Sequence, residues 1–312
     1  MERLLYNAFF GLQRKKKKYL NLNKKYPSLF QKSINYIEWY FNIFLKKYYM
    51  KRKKQRSGIT KQIRDPKIII SLTSYPKRIG TIWMTIETLL RQEIKADEII
   101  LWLAKEQFDG IESLPQNLIN LQDRGLTIRF CDDLRSHKKY FYVMQEYPDD
   151  IVILVDDDMF YPEDTVKKLL ELHEKYPKDV CCMTGQVMTG EETLPSQWRN
   201  PNLDEKLEHR SDVQIFTGSG SLYPPRCLHS DTFNFKLIAE LCPYADDLWL
   251  TYMAHINNTK VTAYYPWRAF PITIYGTAVN SLWYINAEQG KNDKQWTAIK
   301  KYYENGIEDS DK

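Results

Sequence analysis

Cysteine is scarce in this chain of 312 residues, and no two cysteines stand at a Cys-x-x-Cys spacing. The five are Cys131, Cys181, Cys182, Cys227 and Cys242. An odd set without paired spacing indicates neither a zinc site nor a disulfide framework, and a reducing cytosol is the simpler compartment. We therefore expect five small, buried, apolar side chains.

Long apolar runs are also missing. No stretch of about 18 apolar residues occurs, so no transmembrane helix is expected. The apolar residues 4–10 form too short a run for a secretory signal, and no small-residue cleavage site follows before the basic block at residues 14–18. These features predict a cytoplasmic protein.

The chain instead has an uneven distribution of charge. Residues 1–64 carry 18 basic side chains against two acids, Glu2 and Glu38, a balance of +16. The remaining residues hold 27 of the 45 basic and 38 of the 40 acidic side chains, a balance of −11, which leaves +5 for the whole chain. We call residues 1–64 the arm and expect it to precede a mildly acidic globular domain, residues 65–312.

Apolar clusters alternate with basic blocks along the arm. In each of two segments, apolar residues recur at the three- and four-residue spacing of one helical face. They are Leu4, Leu5, Ala8, Phe9 and Leu12 in the first segment and Ile34, Ile37, Phe41, Phe44 and Leu45 in the second. Basic blocks follow at residues 14–18 and 51–54. This pattern suits an anionic lipid surface, so we predict that the arm attaches the protein peripherally to the inner face of the cell membrane.

Two other interpretations of the arm stay open. Its helices could pack on the domain, which Trp39 and Ile43 favour because they lie off the second apolar face. Lysine blocks interleaved with aromatic residues also suit nucleic acid. No recognisable nucleic-acid module follows the arm, so no nucleic-acid partner is expected.

Strand and helix signals alternate after residue 65. Strands are predicted at residues 67–72, 98–103, 126–131 and 150–155, and helices at residues 79–92, 138–146 and 165–176. Short apolar strands separated by helices predict an α/β domain, with a mostly parallel sheet that has helices on both faces.

The rhythm changes after residue 178. Single strands at residues 180–188 and 214–222, without full helices between them, and helices at residues 237–241 and 248–256 predict a mixed second half. We expect residues 65–178 to form a nucleotide-binding half and residues 179–312 an acceptor half.

Three consecutive aspartates, Asp156, Asp157 and Asp158, directly follow the apolar residues 151–155. Ligands bind at the carboxyl ends of strands in open α/β sheets. Adjacent carboxylates raise each other's pKa unless a cation neutralises them, and Mg²⁺ or Mn²⁺ prefers such oxygen ligands. Alternation along an extended backbone would place Asp156 and Asp158 on one side. We predict a divalent metal site there; the alternative is an acidic turn that caps the next helix.

An apolar strand that ends in Asp-x-Asp, about 90 residues after an amino-terminal strand, resembles the nucleotide-sugar glycosyltransferases of the GT-A fold. Residues 70–79, Ile-Ser-Leu-Thr-Ser-Tyr-Pro-Lys-Arg-Ile, are similar to the first strand and loop of bacterial glycosyltransferases that build polysaccharide and lipopolysaccharide. The resemblance covers roughly residues 66–300 and leaves the arm outside. It implies a GT-A-like, Rossmann-like sheet and transfer from a nucleotide sugar.

The resemblance also implies roles for particular residues on the donor side. The first strand and loop would hold the base and ribose through Thr73, Ser74, Tyr75 and Arg78. Asp132 or Asp133 would accept the imide N–H of uracil, and Lys138 and Lys139 would reach the diphosphate. Asp156 and Asp157 would also contact the donor, and the glycines at residues 216–221 would lie beside its sugar. For any single one of these residues, an ordinary turn, a helix cap or a solvated charge remains an alternative.

An acidic pair at the start of a helix supplies the general base in inverting relatives, and the resemblance assigns that role to Asp247, with Asp246 orienting it. His255 would complete the metal shell, although a packed or exposed histidine is the simpler interpretation. A Gln-x-x-Arg-Trp element, which marks processive relatives, is missing from the sequence. Together with the absence of transmembrane helices, this favours a single transfer.

These features predict a metal-dependent, inverting, non-processive glycosyltransferase that uses Mn²⁺ or Mg²⁺ and a UDP-linked sugar. The acceptor would be a lipid-linked or surface glycan in polysaccharide biosynthesis. Two rivals stay open. A sugar-phosphate or nucleotidyl transferase also needs carboxylates and Mg²⁺ at strand ends. A non-catalytic, membrane-bound scaffold for glycan assembly would keep the fold with a degenerate site.

Overall fold

A central β-sheet organises the chain in this computed structural model, which describes residues 2–22, 24–51, 57–190, 192–265, 270–277 and 290–310. The strands are β1 (Ile68–Thr73), β2 (Glu98–Ala104), β3 (Leu126–Cys131), β4 (Ile151–Leu154), β5 (Met159–Phe160), β6 (Val180–Cys182), β7 (Gly185–Val187), β8 (Val213–Ile215), β9 (Ser221–Tyr223), β10 (Val261–Ala263) and β11 (Ile272–Thr273).

Helices cover this sheet and form the arm. They are α1 (Glu2–Asn21), α2 (Ser28–Trp39), α3 (Lys46–Lys51), α4 (Ile82–Leu89), α5 (Gln116–Ile119), α6 (Lys138–Glu146), α7 (Thr165–Lys175), α8 (Phe235–Leu241), α9 (Asp246–Ile256) and α10 (Lys291–Ser310). A π-helical turn, Tyr40–Leu45, joins α2 to α3.

The main sheet of the described chain has the strand order β10-β6-β9-β4-β1-β2-β3. All neighbouring pairs are parallel except those made by β9, which runs antiparallel to both β4 and β6. The prediction of a mostly parallel α/β sheet with helices on both faces is confirmed. The central strand β4 is a continuous apolar run and is buried throughout, because both of its faces are covered.

Alternate residues of β1 face the two halves of the core. Ile68, Ile70 and Leu72 pack with α4 and the arm, whereas Ile69 packs on the opposite face with α6 and α9. All five cysteines are buried and free, as expected for small apolar side chains. None of the helices in the described parts of the chain combines the length and apolarity that crossing a bilayer demands.

The second half of the domain differs from the two long strands that the sequence predicts. Residues 180–188 form β6 and β7, and residues 214–222 contribute to β8 and β9. In each case the first and second pieces belong to different sheets, since β7 pairs with β8 in a separate two-stranded sheet. A 3₁₀ turn, Thr217–Ser219, separates β8 from β9 within the second predicted strand.

The arm packs on the domain through its apolar residues. Eight buried side chains of the arm join the same core cluster as β1 and α4: Tyr6, Phe9, Phe10, Ile34, Ile37, Phe41, Leu45 and Tyr49. The second of the two apolar faces that were predicted to enter lipid is therefore mostly covered by protein, with Phe44 exposed. On the first face Phe9 is buried, whereas Leu4 and Ala8 are exposed. Most of the basic block at residues 51–54 lies outside the described residues. Membrane attachment stays a prediction, and it would have to use the outer surface of the arm.

Candidate functional site

The three aspartates lie beside the loop that follows β1. Strands β1 and β4 are parallel neighbours, with Ser71 opposite Leu154, so both chains leave the sheet at the same edge. Strand β4 ends at Leu154, and residues 156–158 follow a bend rather than an extended path. The expected alternation of the three side chains is therefore lost.

Arg78 pairs with two of these aspartates. Its guanidinium lies 2.6 Å from Asp157 and 3.1 Å from Asp158, and it also donates to the Thr277 carbonyl at 3.1 Å. The Ser74 hydroxyl donates to Asp157 at 2.5 Å. Asp157 and Asp158 thus share one cation, contrary to the expectation that Asp156 and Asp158 form the matched pair.

Asp156 faces another element, the start of α6. The Lys139 ammonium lies 2.7 Å from Asp156 Oδ1. The other carboxylate oxygen approaches Gly218 so closely that a Cβ atom on that residue would lie 2.3 Å from it. The Tyr161 hydroxyl donates to the Gly218 carbonyl at 2.8 Å and accepts from the Asp156 amide at 2.9 Å, which fixes both segments.

The same lysine reaches the acidic pair at the start of α9. Lys139 Nζ lies 2.7 Å from Asp246 and donates to the Thr217 hydroxyl at 2.7 Å. Thr217 in turn donates to Asp247, from its hydroxyl at 2.5 Å and from its amide at 2.9 Å. Ser71 on β1 accounts for the position of the lysine, because its hydroxyl donates to the Lys139 carbonyl at 2.5 Å.

Electrostatics separates the two aspartates at the start of α9. Burial alone would raise the pKa of Asp246, but the Lys139 ammonium outweighs it and lowers that pKa to about 2. Burial and the neighbouring charge of Asp246 raise the pKa of Asp247 to about 7. Asp246 is buried and Asp247 half-buried, so the more accessible carboxylate is also the more basic one.

The aspartates beside Arg78 also have raised pKa values. Burial and the charges of Asp157 and Asp156 raise the pKa of Asp158 to about 7, although Arg78 opposes the shift. Burial likewise raises the pKa of Asp157. Arg78 and Lys139 are the two described cations beside the five carboxylates of residues 156–158 and 246–247. The site therefore retains uncompensated negative charge.

This charge balance fits a divalent cation. Within the described ranges, no three His, Cys, Asp or Glu side chains converge as a complete metal cage. Mg²⁺ typically binds one or two carboxylates together with waters and substrate phosphates, and so needs no such cage. Asp156 and Asp158 are the two aspartates of the cluster at the Asp-x-Asp spacing. Asp156 is half-exposed and Asp158 is nearly buried.

The predicted uracil-binding aspartates lie at the end of β3, beside lysines. Asp132 pairs with Lys105 at 2.5 Å, and Asp133 pairs with Lys138. Lys138 is thereby directed to the β3 edge, whereas Lys139, one residue on, is directed to Asp156. The sequence places both lysines at the start of one helix and cannot tell which of them joins the aspartates.

Three predicted site residues lie apart from this network or only at its margin. Thr73 donates into the sheet, to the Trp102 carbonyl at 2.8 Å. The Tyr75 ring lies 5.6 Å from the Arg78 guanidinium. His255 is exposed at the other end of α9, nine residues after Asp246 and about 14 Å along the helix axis, so the structure does not bring it to the aspartates.

Residues that the sequence placed only as part of a segment, or not at all, complete the site. Thr217 and Gly218 join the two acidic motifs, and their glycine-containing turn after a strand was the available signal. Tyr161 and the 270–277 segment had no signal, because their contacts depend on the tertiary fold. Ile274 donates its amide to the Asp158 carbonyl at 2.8 Å.

A mostly parallel α/β sheet with acidic motifs at its carboxyl edge is the architecture of the GT-A class of glycosyltransferases. The glycosyl transferase family 2 model matches residues 72–228, half of the chain, which includes the end of β1, all three consecutive aspartates and Thr217. The chain belongs to this family. No curated protein sequence matches it.

Solved structures provide distant likenesses. S. aureus TarS 1–349 is 14% identical with a TM-score of 0.41, over 63% of this chain and 57% of that one, so the chain spans little more than half of TarS 1–349. The mannosyltransferase PcManGT from Pyrobaculum calidifontis, in complex with GDP-Man and Mn²⁺, is 12% identical with a TM-score of 0.43, over 92% of this chain and 73% of that one.

Proposed function

We propose that the protein moves one sugar from a UDP-linked donor to a lipid-linked or surface glycan, with inversion at the anomeric carbon. The observation that carries the proposal is the Lys139 bridge. One buried ammonium holds Asp156 at the end of β4 and Asp246 at the start of α9, each at 2.7 Å. Carboxylates suited to the donor side and to the acceptor side therefore belong to a single site.

Asp247 is the proposed general base. It takes the proton of an acceptor hydroxyl while that oxygen attacks the anomeric carbon in line. The bond from the sugar to the diphosphate breaks, and the diphosphate leaves with the electron pair. A pKa near 7 suits a base at neutral pH, whereas Asp246 stays ionised and holds Lys139 in place.

Asp156 and Asp158 are the proposed ligands of Mn²⁺ or Mg²⁺. A bound divalent cation offsets the charge that develops on the departing diphosphate. Arg78 and Ser74 hold Asp157 beside these ligands and thereby fix the bend that presents them. TarS has been solved with UDP and with UDP-GlcNAc, and PcManGT with GDP-Man and Mn²⁺, ligands of the same chemical classes.

Asp132 and Asp133 are the proposed contacts of the uracil ring. Both stand at the carboxyl edge, after β3, and Asp132 is exposed. Their lysine partners, Lys105 and Lys138, balance the charge of a carboxylate that would accept an imide N–H. Tyr75 and Arg78 remain proposed contacts of the base and ribose, since they follow the end of β1, two strands away in the sheet.

Attachment to the inner face of the cell membrane is the proposed role of the outer arm surface. Leu29, Tyr36, Trp39 and Ile43 recur at helical spacing and are exposed, and the rings of Tyr36 and Trp39 stack at 5.7 Å. Lys15 and Lys32 line a groove of about 620 Å³ between α1 and α2. Exposed aromatic rings next to lysines are typical of contact with anionic lipid.

A donor screen tests the proposed function. The full-length protein is incubated with Mn²⁺, a lipid-linked glycan acceptor and UDP-, GDP- or dTDP-sugars, and the released nucleotide and the anomeric configuration are measured. We expect release of UDP with an inverted product. Release of UMP or pyrophosphate would instead identify a sugar-phosphate or nucleotidyl transferase, and no turnover of any donor would support a scaffold.

A further inference from the structure

The arm contacts the candidate site through one buried polar residue, Asn42, in the π-helical turn. Asn42 is 5% exposed. Its amide nitrogen donates to the Thr273 carbonyl at 3.1 Å, and its amide oxygen accepts from the Tyr275 backbone N–H at 2.7 Å. The same nitrogen also donates to the Glu38 carbonyl at 2.9 Å. Both ends of the side-chain amide are therefore satisfied, and two of the three bonds go to a segment more than 230 residues away.

That distant segment is tied directly to the aspartates. Strand β11 pairs with β5, which begins at Met159, immediately after Asp158. Between the two contacts of Asn42, the Ile274 amide donates to the Asp158 carbonyl at 2.8 Å. Three residues further on, the Thr277 carbonyl accepts from Arg78, which pairs with Asp157 and Asp158.

A second contact from the same turn reaches the partner strand. The Phe41 ring lies 5.6 Å from the ring of Phe160 in β5, and both are fully buried. The π-helical turn thus holds β5 through apolar packing and β11 through hydrogen bonds. Turns of this kind break the regular helix ladder and are frequent at functional sites.

We propose that Asn42 is a positioning residue for the metal-binding aspartates. It fixes β11 and the residues that follow, and among these Ile274 holds Asp158 and Thr277 holds Arg78. The arm is then part of the catalytic site as well as a candidate membrane contact. A buried amide suits this role because a shifted strand would leave its donors and acceptor unpaired, which makes one arrangement strongly preferred. The expected effect on metal binding rests on the proposed metal site, but the contacts of Asn42 with Thr273 and Tyr275 are independent of any ligand.

Hydrogen exchange of the full-length protein without metal tests the tie. In Asn42→Ala, the Ile274 amide should exchange about tenfold faster, after correction for the change in global stability, because the segment of residues 272–277 opens locally. Leu45→Ala is the matched control, since Leu45 is buried in the same turn and makes no hydrogen bond to β11. It should speed exchange only in proportion to global stability. Equal local effects of the two variants would overturn the proposal.

Titration with Mn²⁺ and UDP tests the consequence for the site. Substitution of a residue that orients metal ligands commonly weakens metal binding by 10- to 100-fold, so we expect about tenfold weaker Mn²⁺ binding in Asn42→Ala and little change in Leu45→Ala. Failure of the wild-type protein to bind Mn²⁺ would contradict the proposed function and leave the exchange result to decide on Asn42. Wild-type affinity in Asn42→Ala would overturn the positioning role.

A measurement on the unaltered chain applies if Asn42→Ala does not fold. In native-state exchange at rising denaturant, the amides of Ile274 and Tyr275 should open in the same cooperative unit as those of the π-helical turn. Opening of β11 while the turn stays protected would overturn the proposal.

Discussion

Lys139 and Asp246 form a buried ion pair at 2.7 Å, and the same ammonium holds Asp156 at the same distance. Burial alone would lower the pKa of Lys139, but Asp156 and Asp246 outweigh it and raise that pKa above its ordinary value. The lysine therefore stays charged and joins an acidic motif at residue 156 to another some 90 residues later. This pair makes one site out of two halves of the domain.

Lys139→Met should reduce turnover by at least about 100-fold, because it leaves Asp246 and Asp156 without their shared cation. Removing one member of a buried pair also costs roughly 3–5 kcal/mol of stability. Lys168→Met is the control, because Lys168 pairs with Asp164 in a mostly buried position outside the site. It should lose stability and keep turnover per folded molecule. Steady-state kinetics and denaturant melts measure both; wild-type turnover in Lys139→Met would contradict the bridge.

The sequence predicts the framework well for a physical reason. The run that became β4 is apolar throughout, and β1 is apolar apart from Ser71 and Thr73, because both sheet faces are covered. The acids after β4 mark the carboxyl edge. The contacts that the sequence cannot predict depend on the three-dimensional geometry. Lys139, and not Lys138, reaches Asp156 and Asp246. Strand β4 ends at Leu154, and Asp157 and Asp158 then share Arg78. Asn42 gives no local signal, because its partners are set by the tertiary fold.

The pH dependence of the reaction should report Asp247. With its pKa raised to about 7, this carboxyl is protonated below pH 7 and cannot accept a proton there. We expect log(kcat/KM) to rise with a slope near one up to about pH 7 and then level off. Saturating Mn²⁺ removes the contribution of Asp158, since a bound cation favours its ionised form.

Two variants assign this inflection. Asp247→Asn should abolish it and lower kcat by about 10²- to 10⁴-fold, the usual contribution of a general base. Asp246→Asn removes a carboxylate whose pKa is about 2. The inflection should therefore persist in this variant at a shifted pH, while the reaction rate is reduced. A pH profile unchanged in Asp247→Asn would rule that residue out as the base.

Gly218 should tolerate no side chain, because a Cβ atom would lie 2.3 Å from the Asp156 carboxylate. Gly218→Ala therefore displaces Asp156, and we expect at least about tenfold weaker Mn²⁺ binding by calorimetry. Gly11→Ala is the control: nothing lies within 4 Å of its Cβ position in α1, and alanine favours helix by about 1 kcal/mol. Equal Mn²⁺ affinities in the two variants would contradict the close approach.

Surface substitutions test membrane attachment better than deletion of the arm, which would uncover core residues such as Phe9 and Phe41. Replacing Leu29, Tyr36 and Trp39 together by serine should reduce co-sedimentation with anionic vesicles at least about tenfold. Phe235→Ser is the control, since Phe235 is 54% exposed on the domain. Undiminished binding of the triple variant would exclude this surface as the lipid contact.

The central claim is that metal-dependent sugar transfer requires the carboxylates of Asp156 and Asp158. The most direct measurement compares the wild-type protein with Asp156→Ala/Asp158→Ala for Mn²⁺-dependent UDP release and sugar transfer from a UDP-sugar. Asp109→Asn, an exposed change outside the site, serves as the control. We predict that the double variant stays folded and loses both activities. Metal-dependent hydrolysis and transfer at wild-type rates in the double variant would contradict the claim.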